Sequence, residues 1–300
     1  LGVFELLRAG GPYNVVEYDD GVWFGAAVRL ADGALPYRDF VLDQPPGVPL
    51  LLTPVALLSH LFGTAGALSL ARYVTVGVEA VNVVLVGRLL RYRSVLGTTV
   101  ACAVVAVYPA AVITSRTVML EPYCDLWCLI GLLAAFEDGH VTKGPRRALL
   151  AGAAFGFAGA CKAFALLPLL VLLVQMCLGS PPGRRRAGQC LAGAAGGFAL
   201  VCAPFVVMAP AGFFRQVVLT QLEREAPANA NLWGRLAQLL GVPPAPSMAG
   251  VPDLFEGLVV VVVGALVCLA LVVAWTAARA PARSSLERYG VVAVVVTAAG

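Results

Sequence analysis

Two adjacent carboxylates, Asp19 and Asp20, open the stretch Tyr18-Asp19-Asp20-Gly21-Val22-Trp23-Phe24. Neighbouring negative charges repel, so in a partly buried setting one of them holds its proton tightly unless a cation is shared. A tightly held proton suits a general base, and a shared cation suits a phosphate-bearing substrate. Asp is also a preferred helix N-cap, so a turn leading into an interfacial helix over Val22 to Leu30 accounts for the pair as well. Glu121 and Asp125 form a second candidate. They stand four apart in Glu121-Pro122-Tyr123-Cys124-Asp125 and share a helix face. Pro122 fits the first turn of that helix. A carboxylate at the mouth of an apolar span is costly unless paired or wet, and capping of the helix dipole is the structural alternative. The third candidate is Lys162, the lone charge of the apolar stretch from Ala148 to Gly183. Its ammonium either binds a phosphate group or snorkels to the headgroups. Arg116 and Arg72 fall near the same expected surface. Glu79 lies deeper, with Asn82 as a candidate structural partner.

The elements that carry these residues must be membrane spans. Of 300 residues 60% are apolar and 13% charged, and the mean hydropathy is +0.86. Soluble domains average about 45–50% and about 25%. That excludes a cytoplasmic enzyme, a disordered chain and an ordinary secreted domain, and leaves a polytopic membrane protein. The net charge of +4 gives no reason to expect a nucleic-acid partner. Runs over Ser94–Ser115, Ala187–Phe214 and Gly257–Ala278 are long and uncharged, and Ala67–Gly87 is a fourth candidate. Shorter runs cover 122–136 and a hairpin of 148–161 and 163–178 with Lys162 at its apex. Another span begins at Tyr289.

Basic residues set the orientation. Arg88/Arg91/Arg93, Lys143/Arg146/Arg147, Arg184/Arg185/Arg186 and Arg279/Arg283/Arg288 are each separated from the next by an even number of spans, so all four clusters belong on one face. The carboxylates, including Asp19, Asp20, Asp39, Glu121 and Asp125, then collect on the other. Residues 46–62 are proline-rich and barely long enough to span. They are expected to form an interfacial or re-entrant helix within a long first external loop. The division expected is one membrane domain: 1–66 as external loop, 67–209 as spans, 210–256 as a second external loop carrying Gln221 and Arg224, and 257–300 as further spans. The chain starts at Leu1 and stops inside an apolar run, which reads as a fragment lacking a preceding span. The eight cysteines all fall in apolar stretches and read as small packing residues, as do the glycines of 151–159 and 192–197. No P-loop, zincin or serine-hydrolase signature is present.

Asp19-Asp20-Gly21, the segment Gly33-x-x-Pro36-Tyr37-Arg38-Asp39-Phe40, Gln44-Pro45-Pro46-Gly47, Leu61-Phe62-Gly63 and Ala71-Arg72 together resemble the N-terminal half of GT-C glycosyltransferases. The likeness is to bacterial members akin to protein mannosyltransferases and lipid A aminoarabinose transferases. It covers about Tyr18 to Lys162 and weakens beyond. The resemblance implies an all-α polytopic transmembrane bundle of GT-C type, in a bacterial plasma membrane, with its active site facing outside. It implies inverting transfer of a sugar from a polyprenyl-phosphate donor to an acceptor hydroxyl on a lipid, glycan or protein. Asp19 occupies the position of the proposed base, and Asp20 stands where Glu is usual. Glu121 matches the second acidic position. Lys162, with Arg116 or Arg72, would face the lipid phosphate, and Arg38, Asp39, Gln221 and Arg224 join the expected substrate-binding set. The reaction would run with or without a divalent cation (Mg or Mn), whose ligands would be Asp20 and Glu121. The alternative from another class is a multispanning transporter or lipid flippase without transferase activity. A non-catalytic scaffold is a third reading.

Overall fold

Apolar runs interrupted by prolines and arginine-rich turns fold here as helices laid side by side. The computed structural model describes residues 18–179, 181–222 and 285–299, with Val3, Phe4, Leu7 and Tyr13. The helices are α1 Tyr18–Ala31, α2 Gly47–Ala56, α3 Ser59–Leu89, α4 Val95–Val107, α5 Pro109–Ser115 and α6 Glu121–Ala135. A two-residue ladder, β1 Phe136–Glu137 against β2 His140–Val141, follows. Then come α7 Pro145–Cys161, α8 Leu166–Gly179, α9 Pro181–Met208, the short α10 Pro210–Phe213 with a π turn Phe214–Leu219, and α11 Ser285–Ala299. The described fold is therefore all-α apart from one tiny ladder. Among the described residues two helices, α3 and α9, are long and apolar enough to cross a membrane, and α4 with α5 makes a third if that bent pair is one span. The expected run 257–278, the loop beyond Leu222 and Arg224 within it lie outside the described residues.

Two expectations about boundaries are corrected. Ser94–Ser115 is not one straight span: its two helices meet at 54°. Pro109 has no N–H to give and forces the residue before it out of the helical region, and Tyr108 is extended at φ −60°, ψ 120°. The segment 46–62 is likewise not a single unit. Its first part is α2, and its end belongs to α3, which bends where Gly63 takes φ +80°. That backbone conformation is open to glycine and costly for other residues.

The arginine-rich turns gather at one end of the bundle. Arg147 donates to the carbonyls of Leu133, Ala134 and Phe136, so a guanidinium closes the C-terminus of α6. Arg186 donates to the Thr142 carbonyl at 2.9 Å. Arg93 pairs with Glu287 at 2.7 Å, and Leu286 N–H donates to Gly139 at 2.9 Å. The tight turn Asp138-Gly139, with both residues at positive φ, suits a two-residue hairpin loop.

Close contact between α7 and α9 runs from near the arginine-rich turns to the middle of the two helices. Gly152 and Gly156 on α7 and Gly193 and Gly197 on α9 form a reciprocal seam, where a Cβ on any of the four would overlap a backbone carbonyl of the facing helix. Small residues let two helical backbones touch in this way. Gly156→Val is expected to destabilise the protein by about 3 kcal/mol, since an overpacked seam has no flexible side chain to yield. Thermal melting in detergent checks this, with Gly188→Val, at an open position, as the silent control.

Candidate active site

Helix α1 brings Asp19 and Asp20 into its first turn, where the helix dipole favours negative charge. The two then part company. Asp19 is exposed. Asp20 is 1% exposed, and its carboxylate is fully engaged. Its Oδ2 accepts from the Nε of Arg72 at 3.0 Å and from Nη2 of the same guanidinium. Its Oδ1 accepts from the Val118 N–H at 2.7 Å. Arg72 is 0% exposed. Asp20 and Arg72, both expected at the substrate site, are bonded to each other here. The pair is a buried peg that fixes α1 to α3 and to the strand of chain leading into α6. Both side chains are buried, and each oxygen of Asp20 already accepts at least one hydrogen bond.

The peg also places Asp19. Val118 stands three residues before Glu121, a reach of at most about 11 Å. Glu121 begins α6 and accepts from Lys162 at 2.5 Å. Lys162 occupies the extended joint between α7 and the turn into α8. Their side chains are 27% and 38% exposed for Lys162 and Glu121, so this pair remains reachable, unlike the peg. Gly47 at the start of α2 is pressed on the Ala160 carbonyl, where a Cβ would not fit. The Gln44-Pro45-Pro46-Gly47 turn therefore sits beside Lys162. Residues distant in the chain, Asp19, Gly47, Glu121 and Lys162, meet at the same end of the helices, away from the arginine-rich turns.

Below them, the Asn82 amide donates to Glu79 at 3.0 Å and to the Pro122 carbonyl at 2.9 Å. This supplies Glu79 with the structural partner that its spacing to Asn82 suggests. Thr75 and Tyr123 share a hydroxyl contact at 2.9 Å one turn further along. Asp125 is exposed and lies within electrostatic range of Glu79, Glu121 and Lys162.

The loop between α1 and α2 roofs this end. Arg38 grips Asp39 through two hydrogen bonds of 2.8 and 2.9 Å, and Asp39 also accepts from the Leu35 N–H at 2.8 Å. The Arg38 contact, then the backbone bond, holds the Asp39 carboxyl down at about 2. The two residues are exposed but spend their polar groups on each other and on the turn. Tyr37 takes φ +69°. Its hydroxyl donates to the Gln44 carbonyl at 2.8 Å, and its ring meets Phe213 edge-on at 4.9 Å. Burial pushes the Tyr37 phenol far above its ordinary range. Gln221 donates to the Asp43 carbonyl at 2.8 Å and Gln216 accepts from the Leu42 N–H at 2.9 Å. Gln221 is therefore a clamp on the loop. Arg116 is half-buried at the end of α5.

Of the two residues expected to hold a divalent cation, Asp20 is bonded to Arg72 and Val118, and one oxygen of Glu121 is bonded to Lys162. Among the described residues no group of three His, Cys, Asp or Glu side chains is arranged to hold a metal ion. Spacing alone gives no sign of the peg, since Asp20 and Arg72 are 52 positions apart. The Gly212 approach to the Tyr37 carbonyl is equally silent in the sequence. Compared with protein-family models, with curated proteins and with solved structures, the chain matches none.

Proposed function

We propose that the protein is a membrane glycosyltransferase of GT-C type that moves a sugar from a polyprenyl-phosphate donor to an acceptor hydroxyl on the outer face. The observation that supports this reading is that Asp20, next to exposed Asp19, accepts from the N–H of Val118, three residues before Glu121, whose pair with Lys162 is reachable. In the proposed arrangement α3, α4–α5, α6, α7, α8 and α9 all cross, with the arginine-rich turns inside.

The chemistry is a single inverting displacement. The acceptor oxygen bonds to the anomeric carbon while the bond from that carbon to the phosphate oxygen breaks. Asp19 takes the acceptor proton, and the electron pair leaves on the polyprenyl phosphate. An ammonium has three donors. One rests on Glu121, and the others stabilise the departing phosphate. Glu121 in turn holds the ammonium at the required place, so most of the barrier reduction comes from alignment.

The test is transfer by the protein in proteoliposomes, using a panel of labelled polyprenyl-phosphate hexoses and pentoses with a cell-envelope acceptor fraction. Transfer from none of them overturns the reading. Lys162→Met is expected to lower kcat/KM for the donor by about 10²-fold, the usual loss of one well-placed donor to a developing anion. Lys162→Arg should recover part of that loss.

A further inference from the structure

At the arginine-rich end, α8, α9 and α11 enclose a cavity of about 680 Å³, within the range of small-molecule sites, about 300–1,000 Å³. None of the residues placed in the transfer reaction lines it. One wall is aliphatic and open sideways: Leu170, Val174 and Val292 line it and are 55%, 48% and 48% exposed. Arg186 and Arg288 also line the cavity. Arg186 uses two of its N–H groups on the Pro182 and Thr142 carbonyls, which fixes the guanidinium. A guanidinium has five, so three remain for an anion. Arg288 is exposed on the first turn of α11. Gln175 lines it too. Its amide N–H donates to the Ser285 carbonyl, while its Oε1 is buried with no hydrogen-bond partner.

We infer that this cavity binds an anionic phospholipid with a hydroxylated headgroup, of the phosphatidylglycerol kind. The phosphate lies on Arg186 and Arg288, a headgroup hydroxyl donates to the orphaned Gln175 Oε1, and an acyl chain covers Leu170, Val174 and Val292. A zwitterionic lipid brings an ammonium to two guanidinium groups and lacks the hydroxyl. A free phosphate would leave the aliphatic wall bare. Basic pockets between helices at a membrane's inner face recognise anionic headgroups in this way.

The protein, purified in detergent, is titrated with dioleoyl phosphatidylglycerol, dioleoyl phosphatidylcholine or glycerol phosphate. Bound lipid is read by native mass spectrometry and stabilisation by thermal melting. Phosphatidylglycerol is expected to bind at least tenfold more tightly than phosphatidylcholine, and glycerol phosphate not measurably. Arg288→Gln should weaken phosphatidylglycerol about fivefold, since one arginine near anionic lipid contributes about 1 kcal/mol. Val174→Trp, which fills the aliphatic wall and leaves every charge in place, should weaken both lipids. The double variant Arg184→Gln/Arg185→Gln removes two exposed charges outside the cavity and should change neither. Equal retention of the two lipids overturns the inference. So does an equal loss in the Arg184/Arg185 variant, which would make the attraction a general surface charge, or tight binding of glycerol phosphate.

Discussion

Asp19→Asn should lower sugar transfer about 10²- to 10⁴-fold in kcat, the range general base catalysis usually contributes. It should leave the melting temperature almost unchanged. The second half of that expectation is what gives the first its force. Asp19 is exposed in the first turn of α1, and surface substitutions of this kind shift stability by about 0.5 kcal/mol or less. The asparagine keeps the size and still accepts a hydrogen bond at the helix start, so the one property lost is basicity. Asp19→Glu should recover activity in part, since the proton acceptor returns on a longer arm. Transfer at the wild-type rate by Asp19→Asn would remove the base from Asp19. The measurement is labelled-donor consumption in proteoliposomes, with melting recorded on the same preparation.

The second large effect concerns the neighbouring carboxylate and has the opposite signature. Asp20→Asn and Arg72→Met, each alone, are expected to destabilise the protein by about 3–5 kcal/mol, because each leaves one buried charge without its counter-charge. Asp20 and Arg72 are 1% and 0% exposed, so water cannot relieve the survivor. Replacing both together, Asp20→Leu with Arg72→Met, should recover part of the stability, since no buried charge remains, less about 1–3 kcal/mol for the Val118 N–H that loses its acceptor. The recovered double variant also separates the two carboxylates chemically. If Asp20 serves only to hold α1 against α3 and Val118, the double variant retains transfer. If Asp20 were the proton acceptor, the double variant would fold and be inert. Urea or thermal unfolding in detergent gives the first quantity and the transfer assay the second.

Much of the framework was legible before any coordinates. Helices α6, α7 and α8 begin and end within three residues of the apolar runs and α9 within six, because proline and arginine-rich turns interrupt those runs at short intervals. Pro109 carried a visible warning that Ser94–Ser115 would break. Asn82, three residues after Glu79, carried a visible hint of a partner. The candidate site was legible only as a set of charges. Asp19 and Asp20 look alike in a sequence, yet one is exposed and the other is locked to Arg72. What separates them is the direction each side chain takes from the first turn of α1, and that depends on helix α3 arriving from 52 positions away. The same holds for Gln221 and Gln216. Their polar tips find the Asp43 and Leu42 backbone only because Gly212 lets the chain pass over Tyr37. Local periodicity contains none of this.

The brevity of three helices has a consequence for the lipid around them. With 15 residues in α6, 17 in α7 and 14 in α8, at 1.5 Å each they rise about 21–26 Å, short of a hydrocarbon slab of about 30 Å. In the proposed orientation the bilayer must thin around these helices, at the Glu121–Lys162 end, the arginine-rich end or both, at a cost of fractions of a kcal/mol per Å. A polyprenyl-phosphate donor of the proposed reaction would reach the pair through bilayer thinner than the bulk.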